Sequence, residues 1–204
     1  RCVIVREPGG PEVLEIVDLP EPAPGSGQLL VRNFAAGLNR ADLLQRRGLY
    51  PPPAGESDIL GLEFAGEVAT VGDGVEGFSR GDRVFGLCAG GGYADFLAVD
   101  ARLAVAIPSN MSYESAAAVP EAFYTAEDAL FSLGGLGEGQ AVLVHAGASG
   151  VGTAAIQLAV SAGARVIASA GTAEKTAACR ELGAVAAVNY RREDFTEAVA
   201  EKTG

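Results

Sequence analysis

Basic residues are scarce in this chain of 204 residues. Lys and Arg number 15 against 26 Asp and Glu, which gives a formal net charge of −11 at pH 7. Two basic residues stand side by side only at Arg46-Arg47 and Arg191-Arg192. Because phosphate backbones and anionic lipid surfaces attract clustered positive charge, this balance argues against a nucleic-acid or membrane partner.

Long apolar runs and cysteines are scarce as well. No stretch approaches the roughly 18 uninterrupted apolar residues of a spanning helix, and the N-terminus lacks the residue order of a signal peptide. The three cysteines, Cys2, Cys88 and Cys179, lie far apart, so no disulfide framework is implied. We therefore expect a cytoplasmic protein in a reducing compartment.

Glycine, by contrast, is abundant. It accounts for 28 of the 204 residues, about twice its usual share. Such a density indicates tight turns and close approaches of the backbone.

The first half of the chain alternates short apolar runs with turn residues. Six runs are predicted to be strands: residues 2–5, 13–17, 28–36, 64–71, 82–87 and 94–99. One helix is predicted over residues 39–46, and the stiff Pro51-Pro52-Pro53 loop follows it. This pattern is typical of an all-β barrel domain, which we assign to residues 1–119.

After Pro108 the apolar pattern takes the period of helices. Helices are predicted over residues 112–119 and 120–133; strands at 141–145, 165–169 and 185–189 then alternate with helices at 150–162 and 173–182. This order predicts a parallel βαβαβ unit and an α/β fold class. A further crossover helix over 193–202 has no strand after it, so residues 120–204 would form the first half of a doubly wound sheet. Since the chain also begins at Arg1 rather than Met, we expect a fragment, truncated at its C-terminus.

A glycine-rich turn connects the first strand of this unit to its helix. It spans residues 145–152 and reads HAGASGVG. This context predicts a site for the pyrophosphate of a dinucleotide, bound by the turn and the helix N-terminus through Ala148, Ser149, Gly150 and Val151. The usual G-x-G-x-x-G pattern needs glycine at position 149, where the Ser149 hydroxyl can instead donate to a phosphate oxygen. A purely structural turn is the alternative.

The end of the second strand bears on which dinucleotide is bound. In NAD-binding folds an Asp or Glu at this point holds the ribose 2′-hydroxyl. Here residues 169–175 read SAGTAEK, with no acid at the strand end, open space at Gly171 and a cation at Lys175. This favours the 2′-phosphate of NADPH. The alternative is that Lys175 is only a solvated helix residue.

Six motifs together carry a family resemblance. They are residues 39–42 (NRAD), 50–53 (YPPP), 61–66 (GLEFAG), 81–84 (GDRV), 120–122 (PEA) and 145–152 (HAGASGVG). With them the whole chain resembles the zeta-crystallin-like quinone oxidoreductases of the medium-chain dehydrogenase/reductase superfamily, and most of all the subgroup of the tumour-suppressor-inducible quinone oxidoreductase. The resemblance implies a GroES-like barrel domain, a Rossmann domain that continues beyond this C-terminus, and a homodimer when the chain is full length.

The same superfamily contains zinc alcohol dehydrogenases, so we compare the residues at their zinc-ligand positions with those of this sequence. In those enzymes a cysteine ligand follows the third strand and a Gly-His-Glu supplies the next ligands, whereas this sequence has Asn39 and Gly61-Leu62-Glu63. Three scattered cysteines cannot form a four-cysteine structural site, and the single histidine, His145, is expected to be a core residue. We therefore expect no zinc, which favours reduction of a conjugated acceptor over alcohol oxidation.

The resemblance also implies roles for individual residues. It places Asn39, Asp42 and Tyr50 at the nicotinamide and substrate cleft. There Asn39 binds the ribose or nicotinamide, Asp42 orients the short helix, and Tyr50 hydrogen-bonds or protonates a quinone oxygen. Packing on the proline run is the alternative role for Tyr50. Thr125 matches a family position that faces the cofactor, and Tyr190 matches one against the 2′-phosphate.

The sequence thus predicts an NADPH-dependent, zinc-independent oxidoreductase that transfers a hydride to a small-molecule quinone. Two alternatives stay open. One is an enoyl-type reductase of α,β-unsaturated carbonyls, because the same metal-free cleft suits that chemistry. The other is a protein that binds the dinucleotide without turnover, as a sensor or structural protein.

Overall fold

The chain folds as two units. The structure, a computed structural model, describes residues 1–203 apart from the side chains of residues 198 and 202. The first unit comprises Arg1–Glu121 and the second begins at Ala122. The predicted division after residue 119 lies close to this point, and the assignment of the two domains stays a prediction. Gly204, the last residue of the predicted second domain, lies outside the described residues.

The first unit is built from antiparallel strands. They are β1 (Cys2–Val5), β2 (Leu14–Val17), β3 (Gln28–Ala35), β4 (Glu63–Val71), β5 (Arg83–Leu87), β6 (Phe96–Asp100) and β7 (Ala104–Ala106). Five of them form one sheet in the order β6-β3-β4-β5-β7, and β1 pairs with β2. The six predicted strands all form, each within two residues of its predicted limits. The β fold expected for this half is therefore confirmed.

The core of this unit is formed mainly by the two central strands. Leu29 and Val31 of β3 and Phe64 and Val68 of β4 are fully buried. Burial of such side chains contributes about 1.5–3 kcal/mol each, so these strands account for much of the unit's stability. The pattern does not predict β7, because its three residues include only one buried side chain, Ala104.

Two short helices also belong to the first unit. The first, α1 (Arg40–Arg46), lies between β3 and β4, and the second, α2 (Tyr113–Ala117), follows β7. The Ser112 hydroxyl accepts the backbone N–H of Ser115 at 3.2 Å and so caps α2. Both helices lie within two residues of their predicted limits.

A continuous helical stretch begins at Pro120. It contains α3 (Thr125–Glu127) between two π-helical segments, Pro120–Tyr124 and Asp128–Leu133. The helix predicted over residues 120–133 is confirmed in position, but most of it has wider i→i+5 hydrogen bonding. Apolar spacing does not distinguish the two forms, because π segments are short departures from the same helical period.

The second unit contains a parallel three-stranded sheet. Its strands, β8 (Ala141–Val144), β9 (Arg165–Ala170) and β10 (Ala186–Asn189), lie in the order β10-β9-β8. The helices α4 (Gly150–Ser161) and α5 (Ala173–Glu181) connect them, and α6 (Phe195–Thr203) follows. The βαβαβ prediction is confirmed. Of the helices in residues 1–203, none combines the length and apolar character that a membrane span requires.

Small residues dominate the core of the second unit. Ala154, Ala155 and Ala159 of α4 pack in one buried cluster with Val166 and Ala168 of β9. Short side chains let a helix axis approach a sheet closely, because little volume separates the two backbones. The turn before α4 is therefore held close to the carboxyl end of β9.

Candidate functional site

The N-terminus of α1 carries a group of buried polar side chains. Asn39 precedes the helix in an extended conformation, and its backbone N–H donates to Oδ2 of Asp42 at 2.7 Å. The Tyr93 hydroxyl donates to the same oxygen at 2.8 Å. The other oxygen, Oδ1, is buried and has no hydrogen-bond partner within the described residues. A buried acceptor without a donor is uncommon in native proteins and calls for a functional explanation.

Glu63, the first residue of β4, joins this group. Its Oε1 accepts from Nδ2 of Asn39 at 2.7 Å, and its Oε2 accepts from the backbone N–H of Glu121 at 2.9 Å. The carboxylate lies against Gly37, where any Cβ would overlap Oε1. Asn39 thus connects the two buried carboxylates of Asp42 and Glu63. We use the name polar cluster for Asn39, Asp42, Glu63 and Tyr93.

In and around this cluster, three acidic groups have pKa values raised above their ordinary range. Burial, together with the hydrogen bond to Asp42 and the nearby carboxylates, raises the pKa of the Tyr93 phenol. Burial raises the pKa of the Cys88 thiol to about 12, and its Sγ donates to the carbonyl of Gly61 at 3.4 Å. Burial and the charges of Glu63 and Asp42 raise the pKa of Glu121. Neither the phenol nor the thiol is therefore a base or nucleophile at neutral pH.

A cavity of about 210 Å³ opens in the first unit, between the loop after α1 and the end of β5. Its walls include Tyr50, Pro52, Pro53, Leu62, Cys88 and Glu121. The Tyr50 side chain is 47% exposed, so its phenol is accessible even though the ring shares this cavity with the prolines. The cavity combines an apolar wall with one phenol and one carboxyl group.

The residues of this region do not fit a zinc site. Asn39 donates its amide hydrogen to Glu63, and Leu62 presents an apolar side chain to the cavity. Zinc is held in proteins by Cys, His, Asp or Glu ligands. Within residues 1–203, no group of three or more such side chains is arranged to hold a metal ion.

In the second unit, residues 145–152 connect β8 to α4. The Ser149 hydroxyl oxygen accepts the backbone N–H of Gly152 at 3.0 Å and caps α4. The hydroxyl proton of Ser149 stays free to donate a hydrogen bond. This agrees with the predicted hydrogen bond from Ser149 to a phosphate oxygen. Ala146 adopts a positive φ of 51°, which is uncommon outside glycine. Residues 148–151 thus lie at the open N-terminus of α4.

The three glycines of the turn have different surroundings. A Cβ on Gly152 would overlap the carbonyl of Ala146, and one on Gly147 would lie 2.9 Å from Cβ of Ala168. Gly150, in contrast, has nothing within 4 Å of its Cβ position. Gly147 and Gly152 therefore allow the turn to pack on the sheet, whereas Gly150 leaves the helix N-terminus accessible.

At the end of β9, polar groups converge on Gly171. A Cβ there would lie 2.8 Å from the Tyr190 hydroxyl and 3.4 Å from Nε of Arg191. Lys175 lies in the first turn of α5, where its backbone N–H donates to Oγ1 of Thr172 at 3.3 Å. The Lys175 ammonium has no partner among the side chains that the structure describes. The strand end thus offers a phenol and one cation beside Gly171, and a second cation, Lys175, follows in the first turn of α5.

A second cavity, of about 510 Å³, lies at the carboxyl ends of the three parallel strands. His145, Ser169 and Tyr190 line it together with Glu193 and Asp194. Nδ1 of His145 lies 2.9 Å from Oγ of Ser169. The expectation of a core histidine is wrong: β8 ends at residue 144, so His145 lies beyond the sheet edge and is exposed. In parallel α/β sheets, ligands bind at this edge.

The structure brings some predicted site residues together and leaves others apart. Asn39 and Asp42 are hydrogen-bonded, and Tyr190 lies over Gly171. Within the described part of the chain, no hydrogen bond joins Tyr50 to Asn39 or Asp42. Thr125 is exposed at the start of α3, and its role stays a prediction.

Four residues of these sites are not predicted as site residues from the sequence. They are Glu63, Tyr93, Glu121 and Arg191. One signal in the sequence could have identified Glu63. It is an acidic residue that begins an apolar strand, and a buried acidic residue usually has a hydrogen-bond or ionic partner. Arg191 adjoins the predicted Tyr190, but the pattern does not reveal that its side chain points toward Gly171.

Two family models match the chain. The alcohol dehydrogenase GroES-like domain matches residues 25–109, and the zinc-binding dehydrogenase family matches residues 150–204. These matches confirm the GroES-like and Rossmann-like character of the two regions.

Individual proteins are similar along nearly the whole chain. Phthioceranic/hydroxyphthioceranic acid synthase of Mycobacterium tuberculosis is 37% identical over 199 residues, which are 98% of this chain and 9% of the synthase. Escherichia coli quinone oxidoreductase, in its crystal structure with NADPH, is 37% identical with a TM-score of 0.89, over 100% of this chain and 62% of that one. CurK enoyl reductase is 32% identical with a TM-score of 0.91, over 99% and 63%. This chain spans less than two thirds of each of these proteins.

Proposed function

This chain belongs to the medium-chain dehydrogenase/reductase superfamily, and we propose that it is an NADPH-dependent, zinc-independent reductase of quinones. Oxidoreductase chemistry follows from the superfamily; the cofactor and the acceptor are the proposal. The observation that carries it is the convergence of Tyr190 and Arg191 on Gly171, because that site lacks the acid an NAD-binding strand end would have.

The fit of NADPH rests on two sites of the second unit. The turn at 145–152 presents the N-terminus of α4 to a pyrophosphate. At the end of β9, Lys175, Tyr190 and Arg191 supply charge-assisted and neutral donors for a 2′-phosphate, and Gly171 leaves the space that they need. When bound, NADPH supplies the hydride, while these residues bind and orient it.

The acceptor is assigned to the cavity of about 210 Å³ in the first unit. Leu62 and the two prolines offer an apolar wall for a flat ring, and Tyr50 offers a hydroxyl to an acceptor oxygen. Asn39 and Asp42 hold the start of α1 through their hydrogen bond. Thr125 is assigned to the cofactor on the resemblance alone.

An enoyl reductase is the second candidate. The similarity to CurK enoyl reductase, with a TM-score of 0.91, favours it specifically. Both reactions deliver a hydride to an electron-poor carbon conjugated with a carbonyl, and neither needs a Lewis acid when the acceptor is already electrophilic. The same cavity therefore serves either acceptor.

Acceptor assays of the full-length protein test the proposal. The protein is mixed with NADPH and either 1,2-naphthoquinone or an enone, and NADPH consumption is followed by absorbance. We expect faster consumption with the quinone. Faster consumption with the enone identifies the enoyl reductase, and tight NADPH binding without turnover of any acceptor identifies a dinucleotide-binding protein instead.

A further inference from the structure

Glu121 occupies a distinctive position in the acceptor cavity. Among the described residues that line this cavity, it alone carries a carboxyl group. Its backbone N–H donates to Oε2 of Glu63 at 2.9 Å, which fixes the residue at the start of the helical stretch. Its neighbour Pro120 is buried, so the backbone here has little freedom.

The surroundings of this carboxyl group differ from those of the polar cluster. Asp42 and Glu63 each accept two hydrogen bonds, which offset their negative charge. Among the side chains that the structure describes, none donates a hydrogen bond to the Glu121 carboxyl and no cation pairs with it. The titratable groups that face it are Glu63 and Asp42, from β4 and α1, and Tyr50 and Cys88 across the cavity.

These surroundings favour the neutral acid. Burial disfavours the charged form of a carboxyl group, and two nearby carboxylates disfavour it further. Both effects raise the pKa of Glu121. A carboxyl group whose pKa is raised is better suited to general-acid catalysis than an ordinary carboxyl group.

We propose that Glu121 is the proton donor to the acceptor bound in this cavity. The inference rests on the proposed function. Reduction of the acceptor takes one hydride, supplied by NADPH, and one proton. The O–H bond of Glu121 breaks as a new O–H bond forms on the quinone, or a new C–H bond on the enolate of an enone. Glu121 is left as a carboxylate, and solvent returns its proton. Tyr50 hydrogen-bonds and orients the acceptor oxygen.

The sign of the pH dependence follows from this role. The acid is active when protonated, so the rate falls as pH rises through the raised pKa of Glu121. In Glu121→Gln, no proton can be donated from this position, so kcat should fall about 100-fold and the alkaline decline should disappear. The dissociation constant of NADPH should not change. Glu121→Asp should keep the decline at a lower rate.

The test has one readout that does not depend on turnover. In the cofactor-free full-length protein, carboxyl titration is followed by ¹³C NMR of labelled glutamate. We expect one glutamate carboxyl group with a raised pKa. Its signal should be absent in Glu121→Gln, and its pKa should fall in Glu63→Gln, because that change removes a negative charge. Glu127→Gln, on the same helical stretch but exposed, is the matched control and should change neither titration nor rate.

Three results would count against these assignments, and they are distinguishable. A pKa of Glu121 in the usual range of glutamate overturns the proton-donor role. So does an active wild type whose alkaline decline survives in Glu121→Gln, and in that case the proposed reductase function stands. If the pKa of Glu121 is raised but the protein reduces no acceptor, the proposed function is overturned and, with it, the catalytic role of Glu121.

Discussion

The two candidate sites of this chain are built in opposite ways. The turn of the second unit depends on missing side chains, since Gly147 and Gly152 let backbone and neighbouring groups come where a Cβ would overlap them. The polar cluster of the first unit depends on polar side chains taken out of water, with Asp42 and Glu63 only 4% and 3% exposed. One site is maintained by shape and the other by hydrogen-bond donors.

This difference determines which substitutions damage each site. Added volume is costly in the glycine turn, because the surrounding backbone cannot move away. Loss of a polar atom is costly in the polar cluster, because it leaves a buried partner unsatisfied.

The largest effect is expected from added volume at Gly152. A side chain there meets the carbonyl of Ala146, so Gly152→Val should destabilise the full-length protein by about 3 kcal/mol or more. Gly150→Ala is the matched control, because open space surrounds that position. Thermal unfolding by circular dichroism measures both. Equal loss of stability in the two variants would contradict the different roles of these glycines.

A smaller loss is expected when an acceptor is removed from the polar cluster. Asp42→Ala leaves the Tyr93 hydroxyl and the Asn39 N–H without their common acceptor, so we expect a loss of about 2–3 kcal/mol. Asp42→Asn retains one oxygen and should lose less. Asp58→Ala, at an exposed position, should stay within about 0.5 kcal/mol of the wild type. If chemical denaturation shows the same free energy of unfolding for Asp42→Ala and the wild type, the cluster does not stabilise the fold.

Cofactor choice tests the cations near Gly171. A hydrogen bond to a charged group contributes about 1.5–3 kcal/mol, so Lys175→Ala should weaken NADPH binding about 10- to 150-fold. Arg191→Ala should act in the same direction. NADH binding should hardly change in either variant, and Arg192→Ala is the control for Arg191. Titration calorimetry that gives equal losses for NADPH and NADH would mean that these residues do not contact a 2′-phosphate.

The smallest effect is expected from chelation. Because Asn39 and Leu62 stand where zinc enzymes of the superfamily have ligands, prolonged dialysis against EDTA should leave the rate of the full-length protein unchanged. The rate assay is paired with metal analysis of the dialysed protein. Stoichiometric zinc that remains bound, or activity that returns only with added zinc, would overturn the zinc-independent assignment.

The same contrast explains what the sequence predicts well. The glycine turn and its flanking strand and helix are consecutive, so their pattern predicts them. In the polar cluster, Asn39 and Glu63 are 24 positions apart and Asp42 and Tyr93 are 51 apart. The hydrogen bond from the cluster to Glu121 joins residues 58 positions apart. No local pattern encodes such pairs, because tertiary folding alone brings them together.

The sequence pattern also fails to predict three other features, each for a physical reason. The short strand β7 is held by pairing with β5 rather than by its own three residues. The π segments at Pro120–Tyr124 and Asp128–Leu133 share the apolar spacing of an α-helix. His145 was expected in the core because it follows an apolar run, but the strand ends one residue earlier.

The alanine-rich core of the second unit has a consequence for how this chain tolerates sequence change. Where a core consists of leucine or phenylalanine, most damaging substitutions make side chains smaller. Around Ala154, Ala155 and Ala159 there is almost nothing to remove. Enlargement is the change that costs there, because every added methylene must displace the sheet beneath α4. A saturation library over α4 should therefore be depleted of large residues at these positions and keep alanine best, the reverse of the profile expected for β3.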